Sequence, residues 1–144
     1  SFWKQLIEKL NNESNIFSNI SPGKYSWIGT SSGMRGIGYN LAVRKASAQA
    51  EIYIDRGKDT QEINKEIFQE LYNNKESIEE DFGAELLWER LDGSRASRIS
   101  KITNAGGWQD EENWEEVHSN LIEYIIKFEK SFVPYIKKLN MKYK

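Results

Sequence analysis

Apolar positions follow two rhythms along the chain. Phe2, Trp3, Leu6, Ile7 and Leu10 recur at spacings of three and four, which predicts a helix over residues 2–11. The polar run Asn11 to Asn15 ends it, and Ser21-Pro22-Gly23 is a turn. Tyr25 to Ile28 is a short candidate strand, and the glycine- and serine-rich stretch Thr30 to Gly38 reads as a loop. The period then changes to two. Tyr39, Leu41 and Val43 alternate with Asn40, Ala42 and Arg44, while Ala50, Ile52 and Ile54 alternate with Glu51, Tyr53 and Asp55. That pattern predicts two half-buried strands joined as a hairpin. A shared core face sets Val43 opposite Ile52 and Leu41 opposite Ile54, or slips by two. The first register places Arg44 against Glu51 and a tight turn near Ser47-Ala48.

Helical spacing returns with Ile63, Ile67, Leu71, Ile78 and Phe82, widened by Phe68 and Tyr72. Residues 61–82 form one long helix, or two broken near Asn73-Asn74, with Asp59 or Thr60 as the starting cap and Gly83 as the end. Leu86 to Leu91 is apolar on both sides and is predicted to be a central strand. Asp92-Gly93 is its turn signal, Ser97 to Thr103 its partner, and Asn104-Ala105-Gly106-Gly107 closes the unit. Trp114, Val117, Leu121, Tyr124, Ile125, Phe128 and Phe132 make the clearest helical stripe, capped by Asn113. Pro134 is expected to kink or end it, although Ile136 and Leu139 continue the stripe. The expected fold is α+β: an antiparallel sheet of about five strands, in two hairpins plus a short strand, with three main helices on one face. Residues 1–144 read as one domain.

Composition narrows the chemistry. Among 144 residues there is no Cys and one His, which excludes disulfides, thiol catalysis, thiolate zinc sites and multi-histidine metal sites. No metal and no cofactor is expected. No run of 18 apolar residues occurs, so no membrane span is expected. With zero Cys and no apolar leader, the expected location is the cytoplasm. The amphipathic pattern begins at once, as it would in a domain taken from a longer protein or in a processed chain.

The net charge of −2 conceals a division. Residues 61–92 carry ten acids against three bases. The first hairpin region carries Lys24, Arg35, Arg44, Lys45, Arg56 and Lys58 against Glu51 and Asp55. Arg95, Arg98 and Lys101 lie in the second. Tyr25, Trp27, Tyr39, Tyr53, Trp88 and Trp108 are interleaved with these bases. Arginines for phosphate and aromatics for stacking suit single-stranded or structured nucleic acid. The simpler reading is solvated charge and core aromatics. Trp88 is open to two roles: core, or the floor of a pocket on the sheet face away from the helices.

Several familiar motifs are missing. Gly33-Met34-Arg35-Gly36-Ile37-Gly38 lacks the Gly-Lys-Ser/Thr of a phosphate-binding loop, leaving a weak phosphate role for Arg35. Asp55 and Glu89 could be metal carboxylates, but neither strand supplies the Glu-x-Lys of a restriction-type nuclease: Glu51-Ile52-Tyr53 and Glu89-Arg90-Leu91 both lack the lysine. His118 has no diagnostic acid partner, and no Gly-x-Ser-x-Gly elbow occurs.

The run Ala50-Glu51-Ile52-Tyr53-Ile54-Asp55 resembles a strand of the family known as domain of unknown function 4268. So do Leu87-Trp88-Glu89-Arg90-Leu91 and Arg95-Ala96-Ser97-Arg98-Ile99. Phe2-Trp3 with Leu6, the span Phe68 to Phe82 and the span Trp108 to Leu139 fall in matching order. The resemblance implies a prokaryotic, uncharacterised domain, similar to C-terminal domains attached to nuclease-like N-terminal domains in restriction or defence settings. It implies no catalytic residues.

The expected function is a non-catalytic accessory domain of a nuclease-like or DNA-processing protein. Arg35, Arg44, Arg56, Arg95 and Arg98 would contact phosphate, with Tyr53 and Trp88 as stacking groups. Its partners would be nucleic acid, an N-terminal nuclease-like domain of the same protein or a second copy. The rival is a protein–protein or dimerisation module using exposed sheet edges or the last helix. A third class, a small enzyme, requires Asp55, Glu89, Arg98 and His118 to share a pocket.

Overall fold

The computed structural model describes residues 1–144. Its elements in chain order are helix α1 (Phe2–Asn11), strands β1 (Trp27–Ser31), β2 (Ile37–Val43) and β3 (Ala48–Ile54), helices α2 (Gln61–Tyr72) and α3 (Lys75–Phe82), strands β4 (Leu87–Glu89) and β5 (Ser97–Thr103), and helix α4 (Trp114–Lys142), which follows a 3-10 turn at Glu111–Asn113. The five strands form one antiparallel sheet in the order β1-β2-β3-β5-β4. The α+β class with a hairpin-built antiparallel sheet is as the periodicities predict.

One face of the sheet is covered. Val117, Leu121, Ile125, Phe128, Phe132, Ile136 and Leu139 recur along α4 at spacings of three and four, and all are buried. They meet the inward set Ile37, Tyr39, Leu41 and Val43 of β2 and Ala48, Ala50, Ile52 and Ile54 of β3. Helix α1 docks on this layer through Phe2, Trp3, Leu6, Ile7 and Leu10. Together 31 buried apolar residues make one continuous core.

Four local expectations are corrected. The β2–β3 register pairs Val43 with Ala48 and Leu41 with Ala50, four residues from the expected pairing. Alternation sets only the parity of a register; the turn sets the rest. Here the chain reverses over Lys45-Ala46, with the Arg44 N–H donating to the Ser47 carbonyl at 2.8 Å. Asn40, not Arg44, is therefore opposite Glu51. Strand β4 is three residues long and lies at the sheet edge, not its centre. Its apolar residues on both sides arise because Leu86 and Trp88 meet the helices while Leu87 stays half-exposed.

Helix α4 also runs unbroken through Pro134, whose ring faces solvent. An interior proline costs about 3 kcal/mol. Burying Ile136 and Leu139, two and five residues beyond it, returns about 1.5–3 kcal/mol each, so continuation wins. Finally, neither Thr60 nor Asn113 caps its helix through a side chain. The Thr60 hydroxyl instead donates to the Gly57 carbonyl at 2.6 Å. The 61–82 segment is two helices, α2 and α3, broken at Asn73-Asn74, and Gly83 ends the second in the left-handed region.

Candidate functional site

The other face of the sheet carries no helix. Strand alternation and register place Trp27 and Gly29 of β1, Asn40 and Ala42 of β2, Gln49, Glu51 and Tyr53 of β3, Arg98 and Ser100 of β5, and Leu87 and Glu89 of β4 on it. A shallow cavity of about 420 Å³ lies on this face. It runs from Trp27 and Arg44 at the β2–β3 turn to Tyr53 and Arg98 near the opposite end, with Asn40 and Glu51 between them.

Two close approaches shape it. A side chain at Gly29 would collide with the Asn40 amide, which lies across that glycine. Gly107 backs onto the Arg44 and Lys45 carbonyls, where any Cβ would overlap them. This lets the Trp108 N–H donate to the Arg44 carbonyl at 2.8 Å. The 104–110 segment thus clamps the turn and leaves the Trp108 ring half-exposed beside it.

β3 is expected to be half-buried, yet Gln49 and Glu51 are buried on the helix-free side, at 2% and 7% exposure. β3 is the central strand, so neighbours on both sides cover them. The Arg44 guanidinium donates to the Gln49 side-chain oxygen, and the Gln49 amide donates to Glu51 Oε1 at 2.7 Å. Glu51 forms no ion pair, and its Oε2 accepts no hydrogen bond. Ser100, opposite Glu51 in the register, has a buried hydroxyl with no partner. Arg98 Nε beside it is likewise unpartnered.

Of the seven candidate residues from the sequence, Arg44, Tyr53 and Arg98 meet at this cavity. The others do not. Arg35 is exposed in the β1–β2 loop. Arg56 donates to the Arg35 and Tyr143 carbonyls, both at 2.9 Å, tying that loop to the end of α4. Arg95 forms a two-pronged pair with Asp55, both bonds 2.8 Å, and this contact holds the Asp55 carboxyl below the usual carboxylate range. Trp88 lies on the helix-covered side, against Phe68, Tyr72 and Phe132. Its indole N–H donates to Glu79 Oε2 at 3.0 Å. Burial alone would raise Glu79, but this bond and the Leu86 N–H outweigh it and hold the carboxyl below its ordinary range.

Asp55, Glu89, Arg98 and His118 share no pocket. His118 is wholly buried between α1 and α4, its Nδ1 3.0 Å from Lys9 Nζ. No group of three or more His, Cys, Asp or Glu residues is arranged to hold a metal ion. No helix is long and apolar enough to cross a membrane. Sequence reasoning names Trp27 and Glu51 without a place in the site, and passes over Asn40, Gln49 and Ser100. Their signal is polar or half-exposed character at the outward positions of adjacent strands, legible only once the register is known.

Residues 1–136 match the family described as a domain of unknown function (DUF4268). No curated protein and no solved structure matches the chain.

Proposed function

The chain belongs to the DUF4268 family, and from that premise we propose that it is a binding module whose helix-free sheet face receives single-stranded nucleic acid. The observation that carries this reading is the gathering of Arg44, Tyr53 and Arg98 around one cavity, with the half-exposed Trp27 at its rim. An antiparallel sheet face with exposed aromatics offers stacking platforms for unstacked bases, and guanidiniums at either end suit the flanking phosphates. Trp108, clamped beside Arg44, extends the aromatic surface past the turn. Nothing projects from this face as a helix or ribbon that would enter a major groove, so a single strand suits it better than a duplex. The module is an accessory one: it positions a strand for chemistry performed elsewhere.

Fluorescence anisotropy with labelled single- and double-stranded oligonucleotides, titrated across salt, tests this. Two or three phosphate contacts predict a log–log salt slope between about −1.4 and −2.1 for a single strand. Arg98→Ala should flatten that slope by about 0.7. No binding at low salt would sink the proposal. Light scattering distinguishes the rival. A stable dimer abolished by Leu87→Ser, on the same face, would identify that face as a protein–protein surface instead.

A further inference from the structure

We propose that the cavity reads one base, and that this base is an unpaired guanine held by Glu51. The inference rests on the single-strand reading above and adds a specificity to it. A buried carboxylate ordinarily sits beside a cation or under several donors. Glu51 is only 7% exposed, forms no ion pair, and receives one donor, the Gln49 amide on Oε1. An ionised carboxylate has about four acceptor positions, so Oε2 and part of Oε1 stay available. The Arg44–Gln49–Glu51 relay holds the group in place along the cavity floor.

A ligand that completes this site must bring adjacent N–H donors in a plane. Uracil and thymine present a single N–H flanked by two carbonyls, which would set an oxygen against the carboxylate. Adenine and cytosine present one amino group beside a ring nitrogen that is itself an acceptor. Guanine alone carries two adjacent donors, N1–H and the 2-amino group, with the acceptor O6 next to them. The carboxylate takes the two donors, while Arg44 and Arg98 at the two ends of the cavity stay with the flanking phosphates. A guanidinium ligand would also offer paired donors, but the Arg44 and Arg98 charges at the two ends of the cavity disfavour a cation.

The test is anisotropy with a labelled oligothymidylate, the same strand with one central guanine, and the same strand with inosine, which lacks the 2-amino group. The guanine strand should bind about tenfold or more tightly than the thymidine strand, and inosine should lose most of that gain. Glu51→Gln should abolish the preference while leaving the salt slope unchanged, because the phosphate contacts are untouched. Equal affinity for guanine and thymidine strands would overturn the inference, as would a preference that persists in a folded Glu51→Gln protein. Should that variant fail to fold, the inosine comparison on the native chain decides alone. If no strand binds at low salt, the reading of the whole face fails. If all strands bind alike, only the guanine assignment does.

Discussion

The two faces of the sheet are made from the same strands yet built on opposite principles. The covered face is apolar and close-packed, with Leu41, Ala50, Ile52, Ile54 and Ile99 at zero exposure beneath α4. The helix-free face buries polar groups instead: Gln49, Glu51 and Ser100. Apolar burial stabilises whatever its neighbours are, provided they fit. Buried polar atoms add only modestly when every hydrogen bond is made, and are costly otherwise. The covered face therefore accounts for the fold, and the proposed ligand would meet the polar groups buried on the other.

The sharpest way to break this contrast is to cut the covered face. Phe132 is wholly buried against Phe128 and Trp88. Phe132→Ala is expected to lower unfolding free energy by about 3–5 kcal/mol in urea titration. Oligonucleotide affinity of the remaining folded protein should not change. A loss below about 1 kcal/mol would mean that this layer is not the stabilising one.

How far all this could be read in advance depends on what periodicity encodes. Alternation in Tyr39–Val43 and Ala50–Ile54 assigned both inward faces, and the α4 stripe survived even Pro134, because burial of apolar side chains is a property of each position. The register was four residues off because it depends on where the Lys45-Ala46 turn closes, a property of backbone geometry that no spacing records. The same error hides the polar cluster of the helix-free face: pairing Arg44 with Glu51 turns a three-residue relay through Gln49 into a simple cross-strand pair. Trp88 was ambiguous for a different reason. An edge strand under a helix and a central strand can share one apolar pattern, and only strand order separates them.

Buried polar groups in the helical layer sharpen the contrast, because most of them are fully used. Lys65, on α2, is 7% exposed and its ammonium donates to the Arg90, Leu91 and Ala96 carbonyls and the Ser97 hydroxyl, at 2.6 to 3.0 Å. It pins the β4–β5 connection, including Leu91 in the left-handed region at φ 57°. Lys65→Met keeps the volume and removes the donors. The expected loss is about 3 kcal/mol, with faster amide exchange across residues 90–97. An unchanged melt would show that these carbonyls find other donors.

His118 and, on the sheet beneath, the unpartnered Tyr39 hydroxyl are the exceptions on the covered side, and acid exposes the histidine. Burial first, and the nearby Lys9 ammonium second, lower its pKa from 6.5 to about 4. The unfolded chain therefore takes up the proton at higher pH than the folded one. The stability concerned is fully present above about 6.5, falls as pH drops through the window to about 4, and is flat below it. Complete traversal removes roughly 3 kcal/mol. His118→Leu should flatten that part of the pH–stability curve relative to the native chain. Parallel curves for the two proteins between pH 6.5 and 4 would contradict the assignment.

The smallest structural effect is expected where the functional one is concentrated. Trp27 is 54% exposed and lies at the rim of the cavity, on an edge strand beside Ala42. Trp27→Ala should move stability by no more than about 0.5 kcal/mol, since little packing is lost. If a base stacks there, the same change removes about 1–3 kcal/mol of binding, a rise in Kd of about 5- to 150-fold. The pairing of these two readouts separates the faces more cleanly than either alone. A covered-face residue such as Phe132 changes stability and spares affinity, whereas Trp27 should do the reverse. A Trp27→Ala protein that melts several degrees lower and binds single strands unchanged would mean that the exposed indole holds the sheet together. The helix-free face would then be a structural surface with no ligand of its own.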